Sequence, residues 1–281
     1  MDDRLSQESI TGGLLTRFVG QNVVHFESVD STNTVAKDLA RKGAPEGTLV
    51  IADRQTGGRG RLGRQWLAPA GSSLLMSLVF HPRLPPLQAA RVTMICSLAV
   101  ADAIEDLAPL KVQLKWPNDI IITGRKAGGI LTELGLSNEG LDFVVVGIGL
   151  NVNVSFEDDQ AEHRADAAPD TSQSSLRALI ARSTSLSQEL GHEVSRLVML
   201  RRLLVAIEDR YEALRRGLFP LDEWKQRLET LGRQVTVSTS GEVITGWAEG
   251  VDADGALLLR LADGHQSRIL AGDVTLRSTG I

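Results

Sequence analysis

From Phe143 to Leu150 the chain runs through eight residues that are all apolar or glycine, with no charge among them. A strand with one wet face alternates polar and apolar residues; a continuous apolar run reads instead as a strand covered on both faces. Other strand patterns surround it. Leu49 to Ile51 and Leu74 to Phe80 read as strands, and Leu110, Val112, Leu114 and Trp116 alternate with Lys111, Gln113 and Lys115, so Lys115 points away from the core. Ile120 to Ile122 and Ile130 to Leu134 form a hairpin turning through Thr123, Gly124 and Arg125. Helical spacing appears three times. Asp30 or Ser31 caps a short helix through Val35, Leu39 and Ala40 that stops at Gly43. Pro86 opens a helix with Ala90, Met94, Leu98, Ala101 and Ile104 on one face. From Leu197 a stripe of Leu200, Leu204, Ile207, Tyr211, Leu214 and Leu218 predicts a long helix packed on the sheet.

Helices and strands joined by short connections predict an α+β fold, a mixed β-sheet covered on one face by helices. Beyond Gly232 the character changes to short alternating segments, Val235 to Val237, Val243 to Trp247, Leu257 to Leu261 and Val274 to Leu276, separated by Gly241, Gly255, Gly264 and Gly272. This predicts a small β-barrel and a division into residues 1–228 and 229–281. At 281 residues, 42% hydrophobic, the chain is long enough to bury two cores. Ser155 to Ser175, rich in Glu157, Asp158, Asp159 and Asp166, has no hydrophobic period and reads as a mobile surface insertion.

Several function classes drop out. No uninterrupted apolar run reaches the roughly 18 residues of a membrane span, and Met1, Asp2, Asp3, Arg4 lacks a signal-peptide layout, so a cytoplasmic location without membrane partners is expected. Cys96 is the one cysteine and sits among Met94, Ile95, Leu98 and Val100, which makes it a core residue rather than a nucleophile. His25, His81, His163, His192 and His265 lack metal-ligand spacing. A net charge of -5 argues against a general nucleic-acid binder.

Four clusters carry chemistry. Gln55, Thr56, Gly57, Gly58, Arg59, Gly60, Arg61, Leu62, Gly63, Arg64, Gln65, Trp66 combines glycines, which allow close backbone approach, with three arginine forks suited to phosphate or carboxylate. Gly58, Gly60 and Gly63 fit the dinucleotide fingerprint, but Pro69 and Gly71 deny it the helix whose N-terminus must meet the pyrophosphate. A disordered surface loop and a nucleic-acid contact remain open on composition. In the second cluster, Lys115, Trp116, Pro117, Asn118, Asp119, the hairpin brings Asn118 and Asp119 near Lys126 and Gly129; Lys126 offers a point charge for an anion, and Asp119 can hold magnesium or orient an amine. Asp30, Ser31, Thr32, Asn33 reads as a helix cap or a polar site. Gly147, Ile148, Gly149, Leu150, Asn151 lets a flat ligand approach a strand, or marks a bulge.

Together and in this order, Ser31-Thr32-Asn33, Gly58-Arg59-Gly60-Arg61-Leu62-Gly63-Arg64, Lys115-Trp116-Pro117-Asn118-Asp119 and Gly147-Ile148-Gly149-Leu150-Asn151 resemble the biotin protein ligase family, in its monofunctional form. The resemblance implies a mixed-sheet catalytic domain with an SH3-like C-terminal barrel. Its activity would be ATP-dependent formation of biotinyl-5′-AMP, with Mg2+, and transfer to a lysine of a biotin carboxyl carrier domain of a carboxylase. It implies that Ser31, Thr32, Asn33, Gln55, Arg59, Gly60, Arg61, Lys126, Gly129, Leu131 and Gly147 surround biotin. Arg61, Arg64, Trp66, Asn118, Lys126, Asn151 and Arg277 would meet the nucleotide, with Lys126, Arg61 and Asp119 catalytic; the metal ligands are left unassigned. Only about twenty residues precede the first strand, too few for the three-helix DNA-binding unit of family repressors, so DNA regulation is not expected. A lipoate-type ligase and a non-catalytic nucleic-acid-binding module are the rival readings.

Overall fold

The computed structural model describes residues 3–138, 140–156, 180–239 and 241–276. Arg277 and most of the acidic segment between Ser155 and Ser175 lie outside the described residues.

Seven strands form one sheet: β1 (Val23–Phe26), β2 (Leu49–Ala52), β3 (Ser73–Phe80), β4 (Val112–Lys115), β5 (Asp119–Ile122), β6 (Arg125–Ser137) and β7 (Gly140–Asn151), in the order β1-β2-β3-β7-β6-β5-β4. The β1/β2 pair is parallel and the remaining pairs antiparallel, so the sheet is mixed. The apolar run lies in β7, with three strands on either side, and the two faces of that strand meet different layers. Val144, Val146, Ile148 and Leu150 join the main core with the long helices α3 (Ala90–Leu107) and α5 (Arg196–Arg215). Phe143 and Val145 face the short helix α2 (Thr32–Arg41) through Ala36 and Ala40. The two long helices therefore cover one face, as the sequence predicts, while α2 covers part of the other.

Element ends differ from the sequence reading in two places. Pro86 to Gln88 make a 3-10 turn and α3 begins only at Ala90. Helix α5 stops at Arg215, Gly217 takes the left-handed backbone (φ 82°), and Leu218 is exposed rather than part of the apolar stripe. At the N-terminus, the one-turn α1 (Gln7–Thr11) and the buried Leu5, Ile10 and Val19 close the core edge. Glu208 of α5 accepts backbone N–H groups of Arg17, Phe18 and Val19 at 2.8 to 3.0 Å.

The β5/β6 hairpin turns at Thr123 (φ 48°) and Gly124 (φ 77°), the positive-φ pair of a two-residue turn matched to strand twist. Its register sets Asp119 opposite Gly129 and Ile121 opposite Lys126, with a bulge between.

After α4 (Leu186–Leu190) and α6 (Leu221–Arg227), five antiparallel strands form the small SH3-like C-terminal unit. These are β8 (Gln234–Ser238), β9 (Val243–Val251), β10 (Leu257–Arg260), β11 (Gln266–Ile269) and β12 (Asp273–Leu276), ordered β11-β10-β9-β8-β12. Trp116 joins the two units: its backbone N–H donates to Thr230 Oγ1 (2.9 Å) and its indole N–H to the Gly255 carbonyl (2.8 Å). Among the described residues one helix, 86–107, has the length and hydropathy of a membrane span, and its apolar residues from Val92 to Ile104 are buried in this core.

Candidate active site

Gly129 of β6 pairs with Gly149 of β7, and Leu131 with Gly147, so two neighbouring strands present a strip of bare backbone. Side chains from two other segments, and Lys126 of β6 itself, lie over that strip. A Cβ on Gly147 would sit 2.1 Å from Asn33 Oδ1, and one on Gly149 would sit 2.6 Å from the Trp66 ring. A Cβ on Gly129 would be 3.3 Å from Lys126 Nζ. Glycine is required here by close approach, not by a turn.

The Asn33 end is polar and neutral. Thr32 donates its backbone N–H to Gln55 Oε1 (2.7 Å), and its hydroxyl lies 3.1 Å from the same oxygen. Asn33 donates its amide to the Leu131 carbonyl (3.2 Å) and to Glu133 Oε2 (2.9 Å). Ser31 caps α2 by position and is buried, without a side-chain capping bond.

The opposite end is cationic. Lys126 Nζ pairs with Asp119 Oδ1 at 2.6 Å and lies 5.7 Å from the Trp66 ring centroid. Arg61, in the 3-10 turn Arg61–Gly63, donates to Asn118 Oδ1 (3.3 Å) and to the Gly272 carbonyl (3.2 Å). Arg64 is bonded to Asp273 of β12, so two loop arginines reach the C-terminal unit. Burial pushes the Arg61 guanidinium below its usual range, opposed by Asp119 and Asp273; it stays charged, and the desolvation makes its field stronger. The Trp66 indole N–H is buried without a hydrogen-bond partner within the protein.

The structure thus brings together Thr32, Asn33, Gln55, Trp66, Lys126, Gly129, Leu131 and Gly147, with Asn118, Asp119 and Arg61 beside them. Three residues sit otherwise than the sequence suggests. Arg59 turns outward to Thr34 Oγ1 (2.8 Å) and lies 3.7 Å from Glu133. Asn118 uses its amide to hold the Ile130 carbonyl (2.5 Å), and Asn151 uses its amide to hold the Thr184 carbonyl (3.0 Å), so both also brace the backbone. Lys126 is a strand residue, its backbone bonded to Arg182 and Thr184. Gly60 accompanies the turn, its N–H donating to the Arg64 carbonyl. No three acidic, histidine or cysteine side chains converge among the described residues.

Comparison with known proteins now bears on this geometry. Residues 25–151 match the biotin/lipoate A/B protein ligase family, and residues 230–277 match the biotin protein ligase C-terminal domain. The bifunctional ligase/repressor BirA of Bacillus subtilis is 34% identical over 275 residues, 97% of this chain and 79% of the relative. The biotin acetyl-CoA-carboxylase ligase of Paracoccus denitrificans is 35% identical over 243 residues, 84% of this chain and 93% of the relative. The chain belongs to the biotin protein ligase family. Among solved structures, the biotin protein ligase from Aquifex aeolicus in complex with biotin and ATP superposes with a TM-score of 0.71 at 29% identity, covering 92% of this chain and all of that one. The strip between Asn33 and Lys126 has uncharged hydrogen-bonding groups at one end and a lysine at the other. Glu133, Ser77 and Asp273 escape a motif search because each acts through a partner far along the chain; a lone carboxylate inside the strand Ile130 to Leu134 was the available signal for Glu133.

Proposed function

We propose that this ligase lays biotin along the Gly129/Gly147/Gly149 strip, its ureido ring toward Thr32, Asn33 and Gln55 and its carboxylate toward Lys126 and Arg61. The observation that carries the reading is the polarity of the slot, neutral hydrogen-bonding groups over Gly147 and a lysine over Gly129. In the first step the carboxylate oxygen attacks the α-phosphorus of ATP and pyrophosphate leaves, giving biotinyl-AMP. Two anions must meet, and Lys126 and Arg61 offset their repulsion as charge grows in the transition state. Holding the reactants together supplies roughly 7 to 11 kcal/mol of barrier reduction. Trp66, Arg64, Asn118, Asn151 and Arg277 are assigned to the adenylate.

In the second step a neutral lysine amine of a biotin carboxyl carrier domain attacks the mixed anhydride and AMP departs. Asp119 is the group assigned to orient or deprotonate that amine. Its carboxylate is held by Lys126 at 2.6 Å; once Lys126 turns to the ligand anions, Asp119 can accept an N–H. No acidic cluster converges among the described residues, and Mg2+ would enter with the nucleotide, supplying positive charge to its phosphates. The matched C-terminal domain favours a biotin ligase over a lipoate-type one, and a net charge of -5 speaks against general nucleic-acid binding. Mass spectrometry of the protein after incubation with biotin and MgATP tests the reading: bound biotinyl-AMP is expected, and its absence together with no pyrophosphate release would refute it.

A further inference from the structure

Glu133 lies outside every cluster that the sequence singles out, yet it terminates a chain of hydrogen bonds leading to the ureido end of the slot. Its carboxylate takes Lys37 Nζ on one oxygen (2.6 Å) and the Asn33 amide on the other (2.9 Å). Burial pushes this carboxyl up, but the bonds from Lys37 and Asn33 and the charges of Lys37 and Arg59 outweigh it and keep the group ionised. An ionised carboxylate only accepts, and so does the Leu131 carbonyl, the second partner of the same amide. Asn33 therefore must point its NH2 at Glu133 and its Oδ1 at Ser77.

Ser77 is fully buried in β3, its oxygen 2.6 Å from Asn33 Oδ1 and 2.8 Å from Thr32 Oγ1. It has one proton, and Asn33 Oδ1 can only accept, so that proton is committed to Asn33. Thr32 must then supply the proton of the Ser77 contact or send it to Gln55 Oε1. Either way the Thr32 proton is used within the protein, and toward a ligand Thr32 can only accept.

Building on the biotin-ligase reading, we propose that Glu133 is a positioning residue that sets the donor–acceptor polarity of the biotin site through Asn33 and Ser77, making Thr32 an acceptor for a ureido N–H. Glu133, together with the Leu131 carbonyl, specifies the direction of the chain rather than the presence of its members. Glu133→Gln keeps the shape but changes that direction. Lys37, a pure donor, claims the new amide oxygen and the Gln NH2 faces the Asn33 NH2, so Asn33 either keeps its bond to the Leu131 carbonyl against that NH2 or turns over and sets its Oδ1 against the carbonyl. Where it turns over, its NH2 faces Ser77, whose released proton points at Thr32 and occupies a lone pair that a ureido N–H would otherwise use.

Calorimetric titration and steady-state kinetics on the full-length protein test this with Glu133→Gln, Ser77→Ala and the double variant. Biotin affinity in Glu133→Gln should weaken at least about tenfold, the scale of a misdirected buried hydrogen bond. The melting temperature should fall modestly with the lost Lys37 ion pair, while the ATP KM should hold near the parental value, a split that a merely structural role for Glu133 would not give. Ser77→Ala should weaken biotin similarly, and adding Glu133→Gln to it should change little further, because the chain is already cut. Parental biotin affinity in Glu133→Gln, or fully additive losses in the double variant, would overturn the proposal. If Glu133→Gln does not fold, Ser77→Ala decides alone, parental affinity counting against the relay. Failure of the parent protein itself to bind biotin would sink the underlying ligase reading instead.

Discussion

Lys126 and Asp119 sit 2.6 Å apart in a slot assigned to two anionic substrates, and that pairing makes the lysine testable by itself. Lys126 is only partly buried, and its fold contribution runs through backbone bonds to Arg182 and Thr184 that any side chain retains. Lys126→Gln should therefore melt close to the parent while losing adenylate formation. Each tenfold drop in pyrophosphate release corresponds to about 1.4 kcal/mol of transition-state stabilisation. At least one such step is expected from removing a full charge beside the reacting carboxylate. Parental pyrophosphate release in a folded Lys126→Gln would take this residue out of the chemistry and leave Arg61 as the main counter-charge.

At the scale of elements, the loop from Gly58 to Trp66 is tied at both ends: Trp66 lies over Gly149, while Arg61 and Arg64 reach Gly272 and Asp273 at the start of β12. Arg61 thus belongs to the closure as well as to the charge. Arg61→Gly should form adenylate, because Lys126 remains, but release it early, since losing one charge-assisted bond shortens residence more than it slows association. Free biotinyl-AMP acylates amines, so the variant should label lysines of an unrelated albumin, seen by streptavidin blotting. Adenylate retained as long as in the parent would assign closure to Arg64 and Trp66 instead. Which elements were legible beforehand follows from where their stabilising contacts lie. The β7 run, the Thr123-Gly124 hairpin and the α3 and α5 stripes carry their pattern locally, and all are found. The strand β11 reads Gln266-Ser-Arg-Ile, with one buried apolar residue, and exists because β10 pairs with it. Helix α1 is one turn long and is held by α5, so periodicity had nothing to measure. The four candidate clusters stand out by residue type alone; Glu133 and Ser77 do not, because their proposed role is a direction of hydrogen bonding that only the assembled sheet defines.

For the whole molecule, stability and ligand binding are coupled through one core that spans the main sheet and the C-terminal unit. Acid should loosen it in a definite window. Burial pushes the Glu208 carboxyl up, but the N–H groups of Arg17, Phe18 and Val19 and the Arg17 charge hold it below the usual range. A carboxyl whose folded pKa is depressed stabilises the fold above its unfolded value of about 4.3 and loses that contribution as pH falls through the folded value. The melting temperature should accordingly be flat with respect to Glu208 above about pH 5 and fall below it. Glu208→Gln should lower the neutral-pH value and flatten the acid slope; an unchanged slope by scanning calorimetry would exclude this anchor. Cys96 offers an independent report on the same core. It is the chain's one cysteine, fully buried in α3, and burial pushes its thiol up to about 12, so neither access nor thiolate is available in the native state. Labelling by a thiol reagent should be slow in buffer, fast in denaturant, and limited by opening of the core. Under the proposed function biotin and MgATP bind only the folded state, and ligand at about 100 times its Kd stabilises by about 2.7 kcal/mol, which lowers the open population close to a hundredfold. Where opening is a fast pre-equilibrium, labelling should slow by that factor with both ligands present and far less with ATP alone. Rapid labelling of the native protein, or a rate indifferent to saturating biotin and MgATP, would mean that Cys96 opens locally and that the ligand slot and the core are not one cooperative unit.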